Sequence, residues 1–493
     1  MKLLKVYISA FCMCSLSVLL NSCDDFLKEE PLDMKSSDQF WKTKADAESG
    51  VNALYFGGVP YLHNTDVGGG WTPKATMWGG IVSGLYVDKR KDRTFTTASE
   101  GCNFNIESFD DIAMKYWHEF YKGISRANFV IANIPTMTGV LDEATINNYV
   151  AQGKFFRAYG YFWLVKEFGG VPYISEPYTS TEGMYKERLS AEEVYKKIEA
   201  DLLDIVNGDA LPNKTFYENG CYVTRAMAQT LLAQVYLQWA GAPLNGGADY
   251  YGKAAQMALK VINDSPHGLI HPNGTTDDLN SAYNVIKTTK ESAEIIYAKE
   301  YNYTNYSVGN SYACRSIGTD AFQWGVFHPG GDVLYNAYLP CDMLLNSYAS
   351  NDIRGHEKQF FFKQYTDAEG NTHTLNNAGN WAWFDENALI SGHDGDYNMP
   401  VFRFAEVLLI AAEGLARTNH EDNAVGGAKY YLNQVRKRAG LADETATGND
   451  LIQSILTERL HELPLEFKIW DDIRRTRLYP EASTESGKLK WTA

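Results

Sequence analysis

What this sequence lacks narrows its work before anything else does. It holds no H-E-x-x-H, G-x-S-x-G, P-loop or G-x-G-x-x-G segment, so zinc-protease, serine-hydrolase, nucleotide and dinucleotide sites have no local signature in it. Positive charge is scarce: 45 Lys and Arg face 61 Asp and Glu, leaving a formal charge of −16. That balance offers no basic patch to offset phosphate repulsion. It argues against nucleic acid or an anionic membrane surface as a partner and is compatible with neutral ligands. After residue 22 no stretch approaches the roughly eighteen consecutive apolar residues of a membrane helix. Cysteine is sparse too, seven in 493 residues with no C-x-x-C pair.

What is present points to a folded chain. A hydrophobic content of 45% with 22% charged residues is ordinary for a globular protein, and the length suggests about three domains' worth of chain. Aromatics are plentiful, with 32 Tyr, 23 Phe and 11 Trp. Residues 1–22 read as an export signal, with Lys2 and Lys5 before the apolar run Val6 to Leu20. The boundary Leu20-Asn21-Ser22-Cys23 resembles a bacterial lipobox, with an aliphatic residue at −3, a small one at −1 and then the Cys that is acylated. Cys23 is therefore the expected lipid anchor. More than one acyl chain, palmitate for example, would make the attachment stable, and the mature protein would sit on a membrane without crossing it. The alternative is an ordinary signal peptide with a coincidental Cys. Cys12 and Cys14 would leave with the signal. Cys102, Cys221, Cys314 and Cys341 allow three pairings, and buried free thiols are the expectation.

Helical periodicity dominates the rest. Residues 190–206 open with Ser190 and Glu193 at capping-box spacing, and Val194, Ile198, Leu202 and Ile205 share one face. Residues 224–241 are apolar on most sides, as in a helix with neighbours on both flanks, and 249–266 follow as its partner. The pairing of a large-small helix with a second helix carrying Ala at close-packing positions matches tetratricopeptide-type hairpins. It recurs at 402–418 with 423–440, and at 116–134 with 147–169, without a regular period. Between these hairpins, residues 57–110 and about 265–400 are rich in Gly, Asn, Asp, Ser and aromatics, and 294–303 reads as a strand. Loop-rich insertions of that length are usually functional or a subdomain.

Several ordered blocks resemble the SusD/RagB family of Bacteroidota: the lipobox with CDDFLKEEPLD, AQGKFFRAYGYFWLVKEFGGVPYI (151–174), LLNSYASNDIR (344–354), FRFAEVLLIAAEGLAR (402–417) and LTERLHELPLEFKIWDDIRRTR (456–477). Gly153-Lys154 and Glu466-Phe467-Lys468 depart from the family's usual residues. The expectation is also of a shortened version, since the sequence stops at Ala493 without the family's Pro- and Asn-rich tail. The resemblance implies a mainly α fold, a tetratricopeptide-like helical-hairpin scaffold with a loop-rich irregular subdomain inserted. Its expected divisions are a signal at 1–22, an N-terminal helical region at 23–264, a ligand-side subdomain at 265–400 and a C-terminal helical region at 401–493. It implies a surface-exposed, outer-membrane lipoprotein that captures an oligosaccharide or polysaccharide. It also implies a partner, a SusC-like TonB-dependent transporter over which the lipoprotein closes. No cofactor or metal is implied.

Within those blocks Arg157, Asp352, Arg354, Glu458, Arg459, Glu462, Asp471 and Arg474 read as ion pairs tying helices together. The alternative is a glycosidase carboxylate pair, which would require two of the carboxylates to lie about 5–9 Å apart across a sugar. Glycan binding asks for something else: flat rings against the apolar C–H faces of sugars, with Asn, Asp and Arg for the hydroxyls. The loops that combine both offer Trp71 and Trp78, Tyr301, Tyr303 and Tyr306, Trp324, and Trp381 and Trp383. Trp71, Trp78 and Trp324 stand out because turn formers surround them. For each ring the alternative is a place in the core. HDGD (393–396) reads as a polar turn, lacking the ligand count of a calcium loop. Two other classes stay open: a surface scaffold that recruits proteins and has no sugar site, and a binder of a non-sugar ligand such as peptide.

Overall fold

The structure is a computed structural model, and it describes residues 40–62, 79–87, 111–178, 180, 182–271, 276–328, 338–485 and 487–493. Cys23, Trp71, Trp78 and Cys102 lie outside the described residues, as does the side chain of Cys314. Cys221 and Cys341 are free thiols. No helix of the described residues is long and apolar enough to cross a membrane.

Helices carry the scaffold. The main ones are α1 (Lys44–Asn52), α2 (Asp111–Asn133), α3 (Glu143–Phe168), α4 (Ala191–Asn207), α5 (Arg225–Ala240), α6 (Gly247–Asp264) and α7 (Ala282–Thr288). After the loop-rich region come α8 (Glu386–Ser391), α9 (Phe404–Ala416), α10 (Ala428–Arg438), α11 (Gly448–Glu462) and α12 (Ile469–Thr476). From α2 to α6 each helix packs on the next in chain order; α6 then packs on α9 and α9 on α10. The local reasons are those of the sequence. Ser190 and Glu193 close a capping box on α4, and its Val194, Ile198, Leu202 and Ile205 are buried. Thr224 caps α5, which is buried almost all round between its neighbours. On α3, Gly153 and Gly160 fall two turns apart on one face. A Cβ at either would stand 2.9 Å from Ile131 or Ile124 of α2, so the two helices approach where glycine leaves room.

Eight short strands, among the described residues, form four antiparallel pairs: β1 (Tyr86–Val87) with β3 (Leu339–Pro340), β2 (Ile295–Lys299) with β6 (Met399–Arg403), β4 (Phe361–Thr366) with β5 (Thr372–Asn380), and β7 (Tyr479–Ala482) with β8 (Leu489–Thr492). Two expectations shift here. The strand foreseen at 294–303 ends at Lys299, because the Asp396 carboxylate accepts from the Tyr303 and Thr304 amides and winds the chain into a single turn. The helix foreseen from 402 starts at Phe404, since the preceding residues pair with β2 and the Phe404 amide donates to the Glu294 carbonyl. The block 456–477 is two helices, broken around Pro464.

One core fills the helical stack. A second joins Tyr283, Tyr301, Tyr312, Tyr338 and Trp383 to Leu456, Leu460, Ile469 and Trp491, so the loop-rich region and the C-terminal helices share an interior across residue 400. Buried arginines reinforce that junction. Arg354 donates to Asp352, Glu458 and Glu462 at 2.6–3.2 Å. Arg403 reaches Glu294, Glu462 and Glu466, and Arg438 pairs with Glu294 and Glu462. Elsewhere Arg157 grips Asp201 with two 2.8 Å bonds, joining α3 to α4. Arg474 does the same to Glu167, joining α12 to α3, and Arg475 holds Glu413 of α9. The carboxylates singled out in the sequence are thus ion-pair partners: Asp352, Glu458 and Glu462 of guanidinium groups, and Asp471 of Arg474 and the Lys166 ammonium.

Candidate functional site

The loop-rich region owes its surface to aromatic rings fixed from behind. Trp324 ends a short 3-10 helix, Thr319–Trp324, and Gly325 follows at φ 74°, a left-handed turn that glycine adopts without strain. The Trp324 ring lies parallel to His373 at 4.7 Å and to Tyr365 at 6.0 Å between centroids. Tyr365 and His373 are direct cross-strand partners in β4–β5, so the indole roofs one rung of the hairpin. His373 Nε2 sits 2.7 Å from Asp367, and that hydrogen bond holds the Asp367 carboxyl down at about 2. The Tyr365 hydroxyl donates to Glu386. Trp324 stays half-buried.

A second ring stands on the neighbouring loop. Tyr303 stacks on His393 at 4.3 Å, 17° from parallel, and Tyr306 on the same turn is 75% exposed. Asn302 caps this turn, accepting from the Asn305 amide. Segment 388–396 runs between the two loops: the His328 amide donates to the Leu389 carbonyl, and Asn310 bridges to Gly395. Asp396 and His393 are occupied in holding the Tyr303 turn, so HDGD is a polar turn here. Among the described residues no group of three His, Cys, Asp or Glu is arranged to hold a metal.

Trp381 is the third half-buried ring. Its Nε1 donates to Asn284 Oδ1 at 2.7 Å, and the ring stacks on Phe384 at 5.1 Å. The next two residues, Ala382 and Trp383, line a cleft together with Lys287, Asn310, Asn398, Arg403 and Glu466. Two foreseen rings belong to the interior. Tyr301 is 1% exposed and Trp383 6%, both inside the second core, where Trp383 packs against Tyr312, Tyr338 and Phe467. Their polar-looking surroundings in sequence gave no hint of that, because the covering residues come from 338 and 467. His373 and Tyr365 carry no mark in the sequence as site residues, and His393 is marked there only as part of a polar turn. The alternation around 361–366 and 372–380, on either side of a turn ending in Gly370, was the available signal.

Comparison with known proteins puts this geometry in company. A family model described as the SusD family matches residues 322–489, and one described as "Starch-binding associating with outer membrane" matches residues 81–237. "SusD-like protein P2" of Formosa agariphila is 26% identical over 494 residues, covering 96% of this chain and 91% of that protein. Among solved structures, a SusD superfamily protein from Parabacteroides distasonis superposes with a TM-score of 0.78 at 25% identity, covering 91% of each chain. Surface glycan-binding protein A from Bacteroides thetaiotaomicron, solved with laminarihexaose, gives 0.68 at 22% identity, covering 88% of this chain and 90% of that one.

Proposed function

Because the chain belongs to the SusD/RagB family, we propose that it is a surface glycan-binding protein whose ligand rests on the aromatic face of the loop-rich region. The observation that carries this is the set of half-exposed rings, Tyr303, Trp324 and Trp381, each braced by a partner ring beneath it. A ring held flat and still presents its π-face to the C–H face of a sugar at little entropic cost. The likeness to a protein solved with laminarihexaose supports the same reading. Trp71 and Trp78 are assigned to this surface from sequence. Binding rather than bond cleavage is proposed, since Glu458 and Glu462 are both spent on buried arginines.

The remaining parts of the proposal come from the sequence. Cys23 anchors the protein to the outer membrane after residues 1–22 are removed, residues 265–400 form the ligand side, and the bound oligosaccharide passes to a SusC-like TonB-dependent transporter. Handing over a ligand requires that the closed complex bind it differently from the open one. The test of the binding surface is Trp324→Ala together with Tyr303→Ala: saccharide binding is lost with thermal stability nearly unchanged. Retained binding in the double variant would refute the surface. Cys23→Ala is expected to release the protein from the membrane fraction, and co-purification with the transporter tests the partnership.

A further inference from the structure

Lys287 is the most unusual cation among the described residues. It lies on α7 one turn after Asn284, which pins the Trp381 indole. Its ammonium sits 4.1 Å from the Trp381 ring centroid, 5.1 Å from Tyr397 and 5.8 Å from Phe384. Among the described residues it makes no hydrogen bond or ion pair. A second cation, the Lys358 ammonium, lies 5.4 Å from the same indole and is likewise without a carboxylate partner. The carboxylates nearest in charge to Lys287 are engaged elsewhere: Asp385 accepts from the Ala388 and Asp396 amides, and Glu386 from the Tyr365 hydroxyl. Aromatic faces offset part of the cost of stripping water from an ammonium, but only about 0.5–2 kcal/mol of it. Burial accordingly pulls the Lys287 amine down to about 7, against the opposing pull of Asp385 and Glu386.

Lys287, half-desolvated and without a counter-ion among the described residues, is part of the cleft wall, and it is there an unfinished ion pair. The cleft wall carries Trp383, Asn310 and Asn398 beside Lys287. Glu466, the one carboxyl on that wall, is held by Arg403 Nε and Nη2, and burial raises its pKa, so it opposes an incoming anion less than a free carboxylate would. From this arrangement we infer that the cleft lined by Lys287, Asn310 and Trp383 is a subsite for an acidic sugar, whose oxyanion substituent pairs with Lys287. The inference rests on the glycan-binding reading above and names the class of glycan. A uronate carboxylate and a sulfate ester share the chemistry that Lys287 would recognise.

The experiment compares three probes by calorimetry on the full chain: an oligogalacturonate, a sulfated galacto-oligosaccharide and a neutral galacto-oligosaccharide of equal length. Wild type is expected to bind at least one acidic probe ten-fold or more tighter than the neutral one, and which acidic probe wins identifies the substituent. Lys287→Met, which keeps the stem against the rings, should erase that preference by weakening the acidic probe ten-fold or more, to the level of the neutral one. Lys287→Arg should keep most of it. Equal affinity for acidic and neutral probes, or a preference that survives Lys287→Met, overturns the inference while the glycan-binding reading stands. If none of the three probes binds, the inference falls, while the glycan-binding reading is decided by a wider panel of polysaccharides.

Discussion

At the scale of single residues, the charges that read in sequence as ion pairs between helices are paired in the structure. Arg354 is fully buried and is shared by Asp352, Glu458 and Glu462, which leaves no ordinary way to remove it. Arg354→Met is expected to cost about 3–5 kcal/mol, because three carboxylates lose their counter-charge in a dry interior; urea unfolding measures it. His461 gives a pH prediction. Burial first, then the Arg354 charge, pulls its pKa down to about 3, and the ring stacks on Tyr348. The unfolded chain takes up a proton near pH 6.5 while the folded chain refuses it, so the contribution is whole above about 6.5 and shrinks as pH falls towards 3. Between pH 6.5 and 5, above the range of most carboxylates, stability should drop by up to about 1.4 kcal/mol per pH unit, and His461→Gln should flatten that slope. A wild-type curve that is level from pH 7 to 5 would contradict the burial of a neutral ring. Trp383 and Trp324 separate core from surface. Trp383→Ala should destabilise by about 3–5 kcal/mol, whereas Trp324→Ala should chiefly cost ligand.

At the scale of elements, the helices were legible because each is specified locally. The capping box at Ser190 and the four-residue spacing of buried Val194, Ile198 and Leu202 need nothing from elsewhere in the chain. The ion pairs of Arg157, Arg354 and Arg474 were legible for a related reason: long charged side chains inside apolar helical runs have to be paired. Residues 265–400 were not readable in this way. Their strands are short, and what holds them is remote: Asp396 winds the turn at Tyr303, and β4–β5 is roofed by Trp324. That is also why Tyr301 and Trp383 looked like surface rings, and why Lys287 drew no notice. Its cage of Trp381, Phe384 and Tyr397 assembles from residues about a hundred positions away. Helix packing supplies its own test. At Gly414 of α9 a Cβ would come within 2.5 Å of the Tyr251 carbonyl on α6, and backbone cannot step aside as a side chain can. Gly414→Ala should therefore cost about 1–3 kcal/mol, read from the shift in denaturant midpoint. A neutral result would mean that the two helices are farther apart than described.

At the scale of the whole molecule, the parts divide the work. The helical stack is a stiff base, and the buried arginines clamp the C-terminal helices to β2 and β6 at the root of the loop-rich region. The rings of that region are thereby held in one geometry before any ligand arrives, which is what a binding surface needs. The account stands on the aromatic face, and the most direct measurement is affinity electrophoresis or calorimetry of wild type and the Trp324→Ala/Tyr303→Ala variant against a broad panel of neutral and acidic polysaccharides. The account predicts that wild type binds at least one of them and that the variant, with its melting temperature within a few degrees of wild type, binds none. Binding unchanged in the folded variant, or a wild type that binds no polysaccharide, would contradict it.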